Sequence, residues 1–419
     1  MDPYCGVRFS IPLSRPTVRS ESPMTAAAIV SRWARRYVLV GAFALVCWQV
    51  GALADVPRET EVLLGVFGVV LHTIFGKAYS LVPSYFERQL AVPRAPAVGF
   101  PLTVLGTAGL VVVSLGIAPS WTEAVGTFGA ISWGLGVCVF LGAIGWTIRD
   151  NPTGRETATG ETNADRWPVD RAANGFVPVA LAYLTVGTYE TVAIHSGFPI
   201  VFDGYVPRVS HLLAAGTAAM FVFALGFRLL PRFLVAPVPK PLVASVLPAG
   251  ALGPALLAAS LGEGVWFRLG AILEAIAVLG FALAYGTLFV RSTRRRVGFY
   301  SVLAGVVSGV LGVGLGLSFA FGHRTPSLVL AHVRLNVLGL LGLTIAGVAY
   351  QFYPPALGDF SYSSDRTAFV SIALLAGGLL AEVLGLVGGL AIVVRLGELG
   401  ALTGAMLYGY LLCGVFHAR

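Results

Sequence analysis

Charge is scarce in this chain. Charged side chains make up 11% of its 419 residues, and Lys77 and Lys240 are its only lysines. Soluble domains carry roughly 25% charged residues, so a water-facing surface along the whole chain is excluded. The four cysteines, Cys5, Cys47, Cys138 and Cys413, stand far apart without a CxxC pair, which leaves no disulfide framework or zinc ribbon to build. Three of them fall in apolar stretches and read as packing residues. No Walker sequence, dinucleotide-binding GxGxxG, HExxH or Ser-His-Asp arrangement occurs. Strict polar–apolar alternation is also missing, which excludes a transmembrane β-barrel.

What the chain has instead is hydrocarbon. It is 56% hydrophobic with a mean hydropathy of +0.82. The apolar residues come in blocks of about twenty, the length that crosses a bilayer as a helix. Backbone groups in lipid must satisfy one another, so these blocks are helices. The blocks predict an all-α membrane domain of twelve spans: 37–55, 61–83, 98–118, 124–148, 175–195, 208–230, 240–260, 266–290, 298–321, 328–353, 368–390 and 396–417.

The formal charge of +8 is almost all arginine. Arg32, Arg35 and Arg36 precede the first span, and further groups such as Arg291, Arg294, Arg295 and Arg296 fall in alternate loops. Basic loops stay on the cytoplasmic side, which predicts a cell-membrane protein with both termini inside. The basicity is thus read as loop charge facing the lipid bilayer, with no nucleic-acid partner. Residues 1–36 are expected to form a cytoplasmic tail. Within it, residues 1–23 lack a signal-peptide core and read either as disorder or as an extension before a true start at Met24. The polar stretch 149–174 reads as a linker without chemistry.

The second, sixth and tenth spans end alike: FGKAYSLVPSYF at 75–86, LGFRLLPRFL at 225–234 and AGVAYQFYPPAL at 346–357. Each proline is expected to stop its helix. The chain then divides into three four-helix units, about 37–150, 175–296 and 298–419, a threefold ring of helix arcs able to enclose flat cofactors.

Ionisable groups inside hydrocarbon are costly, so each is a candidate site. His211 and His332 open the sixth and tenth spans at a matched depth, either as interfacial histidines or as ligands of haem iron or a metal. His72 lies mid-span, about 16 Å deeper than Glu61 and on about the same face. It is either a core histidine bonded to a neighbouring helix or part of a proton or ligand path. Glu190, Glu274 and Glu382 should lie in the outer half, each with a raised pKa or an arginine partner drawn from Arg208, Arg268, Arg324 and Arg334, either as structural pairs or as a polar pocket near the outer face. Lys77 is expected to snorkel to the inner interface.

The stretch AHVRLNVLGLLGLTIAGVAYQFYPPALG at 331–358 resembles the tenth helix of haem-copper oxidase subunit I, nearest the cbb-type oxidase and nitric oxide reductase branch. RVSHLLAAGTAAMFVFALGFRLLPRF at 208–233 resembles the sixth helix of that superfamily and of its NnrS-family relatives. The resemblance implies a subunit I-like fold. It puts His332 where the family has the axial ligand of its high-spin haem, and His211 where it has one copper ligand. It also exposes departures. Arg334 stands where a low-spin haem ligand belongs, and Glu61 falls where that ligand's partner should open the second helix. The seventh span, PLVASVLPAGALGPALLAAS, lacks two further copper histidines. The expectation is one b-type haem with His332 as axial ligand and His211 facing the other side of an open iron. A second haem should not bind, copper should bind weakly or not at all, and a small gas, nitric oxide or oxygen, should be handled or sensed. The alternative is a cofactor-free transporter or scaffold on the same fold.

Overall fold

The computed structural model describes residues 25–117 and 119–418. Most of the 1–36 tail, Cys5 and the question of Met24 lie outside these residues. Twelve helices are long and apolar enough to cross a membrane: α1 (Ala26–Leu53), α2 (Arg58–Tyr85), α3 (Ala95–Ser114), α4 (Pro119–Ile148), α5 (Glu161–Ser196), α6 (Val206–Leu234), α7 (Lys240–Ser260), α8 (Gly264–Arg291), α9 (Val297–Ala320), α10 (Pro326–Leu357), α11 (Asp365–Gly388) and α12 (Ala391–His417). Among the described residues there is no strand. The first helix starts well before residue 37, so residues 26–36 belong to α1 and not to a tail. Thr25 caps it by accepting a hydrogen bond from the Ala28 N–H.

Local chemistry sets the other ends. Thr325 and Ser364 cap α10 and α11, accepting from the N–H groups of Leu328 and Thr367 at 3.3 and 3.1 Å. Gly197 and Gly389 close α5 and α11 at φ of 72° and 67°, left-handed conformations in which a Cβ would be strained. The prolines behave differently from expectation: α2 and α6 run past Pro83 and Pro231 to Tyr85 and Leu234. A proline lacks only its own N–H and crowds the turn before it, so the groups after it can still complete a final turn. Pro354 does follow the end of regular helix, at Phe352.

The closest packed pairs are α3–α4, α7–α8 and α11–α12, which leaves α2, α6 and α10 toward the middle. Of the twelve, α2 and α6 are the most buried. The outer surface is apolar, with Phe43, Leu105, Phe128, Leu283 and Ile392 exposed, as a lipid-facing surface must be. The three helices with matching ends also share a distortion. Each contains a nine-residue π-helical run, at Leu63–Leu71, His211–Ala219 and Leu335–Leu343, and the three runs touch one another. The bundle therefore has a histidine end, where α2, α6 and α10 begin, and a proline end, where they finish.

The stretch 149–174 is no passive linker. It includes a short helix, Trp167–Gly175, whose buried Asp170 meets two arginines of α6. Arg232 Nη2 lies 2.6 Å from one Asp170 oxygen and Arg228 Nε 3.5 Å from the other, while the Thr159 hydroxyl donates to the same carboxylate. Asn174 and Arg228 both donate to the Tyr85 carbonyl at 2.9 Å, which ties the end of α2 into the cluster. Outside it, the Arg88 guanidinium bonded to Asp150 holds that carboxyl below the usual carboxylate range. Polarity marked this segment as loop. The partners that make it structure lie far away in sequence.

Small residues let α9 and α10 approach until backbones touch. A Cβ on Gly298 would meet the Gly347 carbonyl oxygen, and one on Gly347 would meet that of Gly298. Close approach of this kind drives helix association where lipid offers no hydrophobic gain. Gly347→Val should therefore destabilise the protein by about 1–3 kcal/mol, read as a lower melting temperature in detergent. Gly377→Ala on α11 has open space around it and should be neutral or slightly stabilising.

Candidate functional site

His211 and His332 meet at the histidine end. Their ring centroids are 6.5 Å apart with planes 23° from parallel, and both side chains are half-buried. Each ring is fixed through Nδ1: His211 to the Pro207 carbonyl at 2.6 Å and His332 to the Gly312 carbonyl of α9 at 2.8 Å. A carbonyl can only accept, so Nδ1 carries the proton in both rings and Nε2 is left as a bare lone pair. Metal-binding histidines are oriented in this way, the second nitrogen held by a carbonyl or carboxylate. Asn336 steadies the turn by donating to the His332 carbonyl at 2.8 Å, and the Phe319 ring stands edge-on to His332 at 5.4 Å.

Two residues beyond His332, about 200° around the helix, Arg334 points the other way and is completely buried. Its Nη2 lies 2.7 Å from Glu382 Oε2 on α11 and donates to Gln49 Oε1 on α1 at 2.7 Å. Its Nη1 is 3.7 Å from Glu61 Oε2 on α2, and the same Glu61 oxygen accepts from Trp48 Nε1 at 3.1 Å. The guanidinium also lies 4.8 Å from the Trp48 ring centre. Arg334 and Glu61, the two residues at the low-spin haem positions of the resemblance, are thus joined to each other and to Glu382, Gln49 and Trp48. Helix α10 separates this ion cluster from the histidine pair.

The other expected residues do not join these two groups. Only Glu382 of the three glutamates takes an arginine. Glu190 instead accepts the Val201 and Phe202 N–H groups at 2.9 and 3.1 Å, since the chain after Gly197 folds back over its own helix. Arg208, its nearest expected partner in sequence, bonds Asp203 at 3.1 Å. Glu274 makes no ion pair among the described residues and packs against Gly253, with Oε1 lacking a hydrogen bond. His72 is fully buried and bonds no neighbouring helix. Its Nδ1 donates 2.6 Å to the Phe67 carbonyl five residues back, an acceptor within its own π-helical run, and the ring lies between Tyr37 and Trp133. Lys77 does not run out to water: its Nζ sits 3.6 Å above the Phe352 ring and 3.3 Å from the Tyr353 hydroxyl.

Gln49, Trp48, Asp170 and Arg228 are the polar residues that sequence reasoning passed over. Arg228 had a readable signal, an arginine within an apolar block followed four residues later by Arg232. Neither could stay buried without an acid, and the adjoining polar stretch supplies Asp170.

Removing one member of a buried ion cluster leaves the others uncompensated, at a cost of about 3–5 kcal/mol. Arg334→Met should lower the melting temperature strongly, because Glu61 and Glu382 then face each other in an apolar bundle. Adding Glu61→Gln and Glu382→Gln to that variant should restore much of the loss. Equal stability of the single and triple variants would show that the cluster does not hold these helices together.

Among solved structures, a cryo-EM structure of a haem-copper terminal oxidase dimer is similar to this chain, with a TM-score of 0.55 at 13% sequence identity over 93% of this chain and 83% of that one. No protein-family model and no curated protein matches. The likeness extends over nearly the whole described bundle and is one of backbone path at an identity too low to carry residues across. The fold of this twelve-helix membrane protein is that of haem-copper oxidase subunit I.

Proposed function

We propose that this chain is an oxidase-like membrane protein that keeps one cofactor position of its fold, the His211–His332 pair. It would bind a single b-type haem there and sense or handle a small gas, nitric oxide or oxygen. The observation that carries this reading is the pair of neighbouring imidazoles on two helices, each held through Nδ1 by a backbone carbonyl. The rings stand 6.5 Å apart, near enough for both to serve one bound group. His211 and His332 are the residues that would hold the haem iron. His332 is the better anchored, tied to a second helix through Gly312, and such a second bond raises the basicity of a ligating imidazole. His211 is tied only to its own helix. With its proton on Nδ1 it has none on Nε2 to donate to a gas, so it supports ligation over the hydrogen-bond role. When bound, haem iron would supply a site for a diatomic gas, with His211 beside it. The Arg334 cluster supports a count of one, since charged side chains occupy the positions of a second pair. Copper is not part of this proposal.

The same cluster favours a second reading, a cofactor-free transporter or scaffold in which ion pairs replaced the cofactors everywhere. A visible spectrum of the purified protein separates the two. The first reading expects a Soret band that shifts on reduction, with one haem per chain. His332→Ala should lose the haem. His211→Ala should keep it and bind carbon monoxide faster when reduced. A folded protein with no Soret band supports the scaffold; two haems per chain, or parental spectra in both variants, would overturn the assignment.

A further inference from the structure

Below the touching π-helical runs, α2, α6 and α10 part around a narrow, open-mouthed cleft with a cavity volume of about 80 Å³. It is walled mainly by apolar side chains, among them Ile74, Leu81, Phe221, Leu225 and Val348, and among the described residues Lys77 is the only ionisable side chain lining it. The Thr73 hydroxyl is spent on the Val69 carbonyl of its own helix, 2.8 Å away. The amine of Lys77 lies at the Phe352–Tyr353 level, toward the proline end, and no carboxylate among the described residues pairs with it.

The two features specify complementary parts of one molecule. An aromatic face and a phenol orient an ammonium group without cancelling its charge. A positive charge inside a membrane protein lowers its energy by finding an anion, and this bundle offers Lys77 none. Beyond that amine the wall offers a polar ligand only the buried Thr344 hydroxyl, which has no hydrogen-bond partner among the described residues. From Thr73 to Leu81 the cleft follows its helix for about 12 Å, the extent of an extended hydrocarbon chain of moderate length. The histidine pair lies beyond the π-helical runs, so this space is separate from it.

We propose that the cleft binds a single-chain anionic amphiphile, its hydrocarbon chain between α2, α6 and α10 and its anionic headgroup on Lys77. A fatty-acid carboxylate and a single-chain phosphate share this chemistry. Native mass spectrometry of the purified full chain, released from a nonionic detergent, tests it with dodecanoate, dodecyl phosphate and neutral dodecanol as probes. The expected result is one saturable equivalent of an anionic probe per chain; which anion binds more tightly identifies the source. Lys77→Met should weaken the anions about tenfold, the loss of one charge-assisted contact, and leave dodecanol unchanged. Val348→Trp should fill the cleft and exclude all three. Its melting temperature is checked first, and Leu225→Phe takes its place if it does not fold. Anion binding that never saturates, or that is the same in Lys77→Met as in the parent, would overturn the proposal.

Discussion

A guanidinium with no exposure, set in a bundle that lipid surrounds, must be answered within the protein, and the answers to Arg334 come from three other helices. Glu382 brings α11, Glu61 brings α2, and Gln49 with Trp48 brings α1. Apolar packing alone gives helices in lipid little reason to choose one neighbour over another, because hydrocarbon outside is equivalent to hydrocarbon inside. A buried charge removes that indifference. It has one low-energy arrangement, and the first, second, tenth and eleventh helices must be in place for it. The Asp170 cluster does the same at the proline end for α5, α6 and the end of α2.

These two clusters clamp opposite ends of the inner helices, and between them lie the features on which a function can be built. The histidine pair sits beside the first clamp, separated from it by the width of α10. Its geometry depends on that clamp, since rotating α10 to release Arg334 would also carry His332 away from Gly312 and His211. The cleft with Lys77 lies toward the second clamp. Stability and function are thus set by neighbouring residues on the same helices, with His332 and Arg334 two positions apart.

Much of this was legible in the sequence. Block length gave twelve spans because hydrocarbon thickness admits few alternatives. His211 and His332 could be matched because rare residues stood at the same place in two similar segments. Arg334 and Glu382 stood among the few charges within the spans, although which of the four arginines each glutamate would take could not be read. Legibility failed where meaning depends on distant contacts. Glu190 satisfies itself on backbone N–H groups of a loop that folds back, and no residue type announces that. Asp170 lay in a stretch whose polarity said only that it was outside the membrane. Lys77 had a plausible route to the interface, and only the position of the Phe352 ring shows that it does not take it. The π-helical runs left no compositional trace at all, for they are made of the same leucines, glycines and alanines as ordinary helix.

Those runs have a consequence for how such a bundle changes over evolutionary time. A π-helical run holds more residues per turn than the α-helix on either side, so it shifts the register of all that follows by a fraction of a turn, up to about 100° for one inserted residue. The two halves of α2, α6 and α10 therefore need not present one continuous face. What the chain places at the histidine end does not dictate what it must place at the proline end, although both belong to the same three rods. Such a joint lets one half be rewritten by mutation while the other keeps its partners. One half can carry a charge cluster or a pair of imidazoles, and the opposite half of the same helices can shape a cleft of its own.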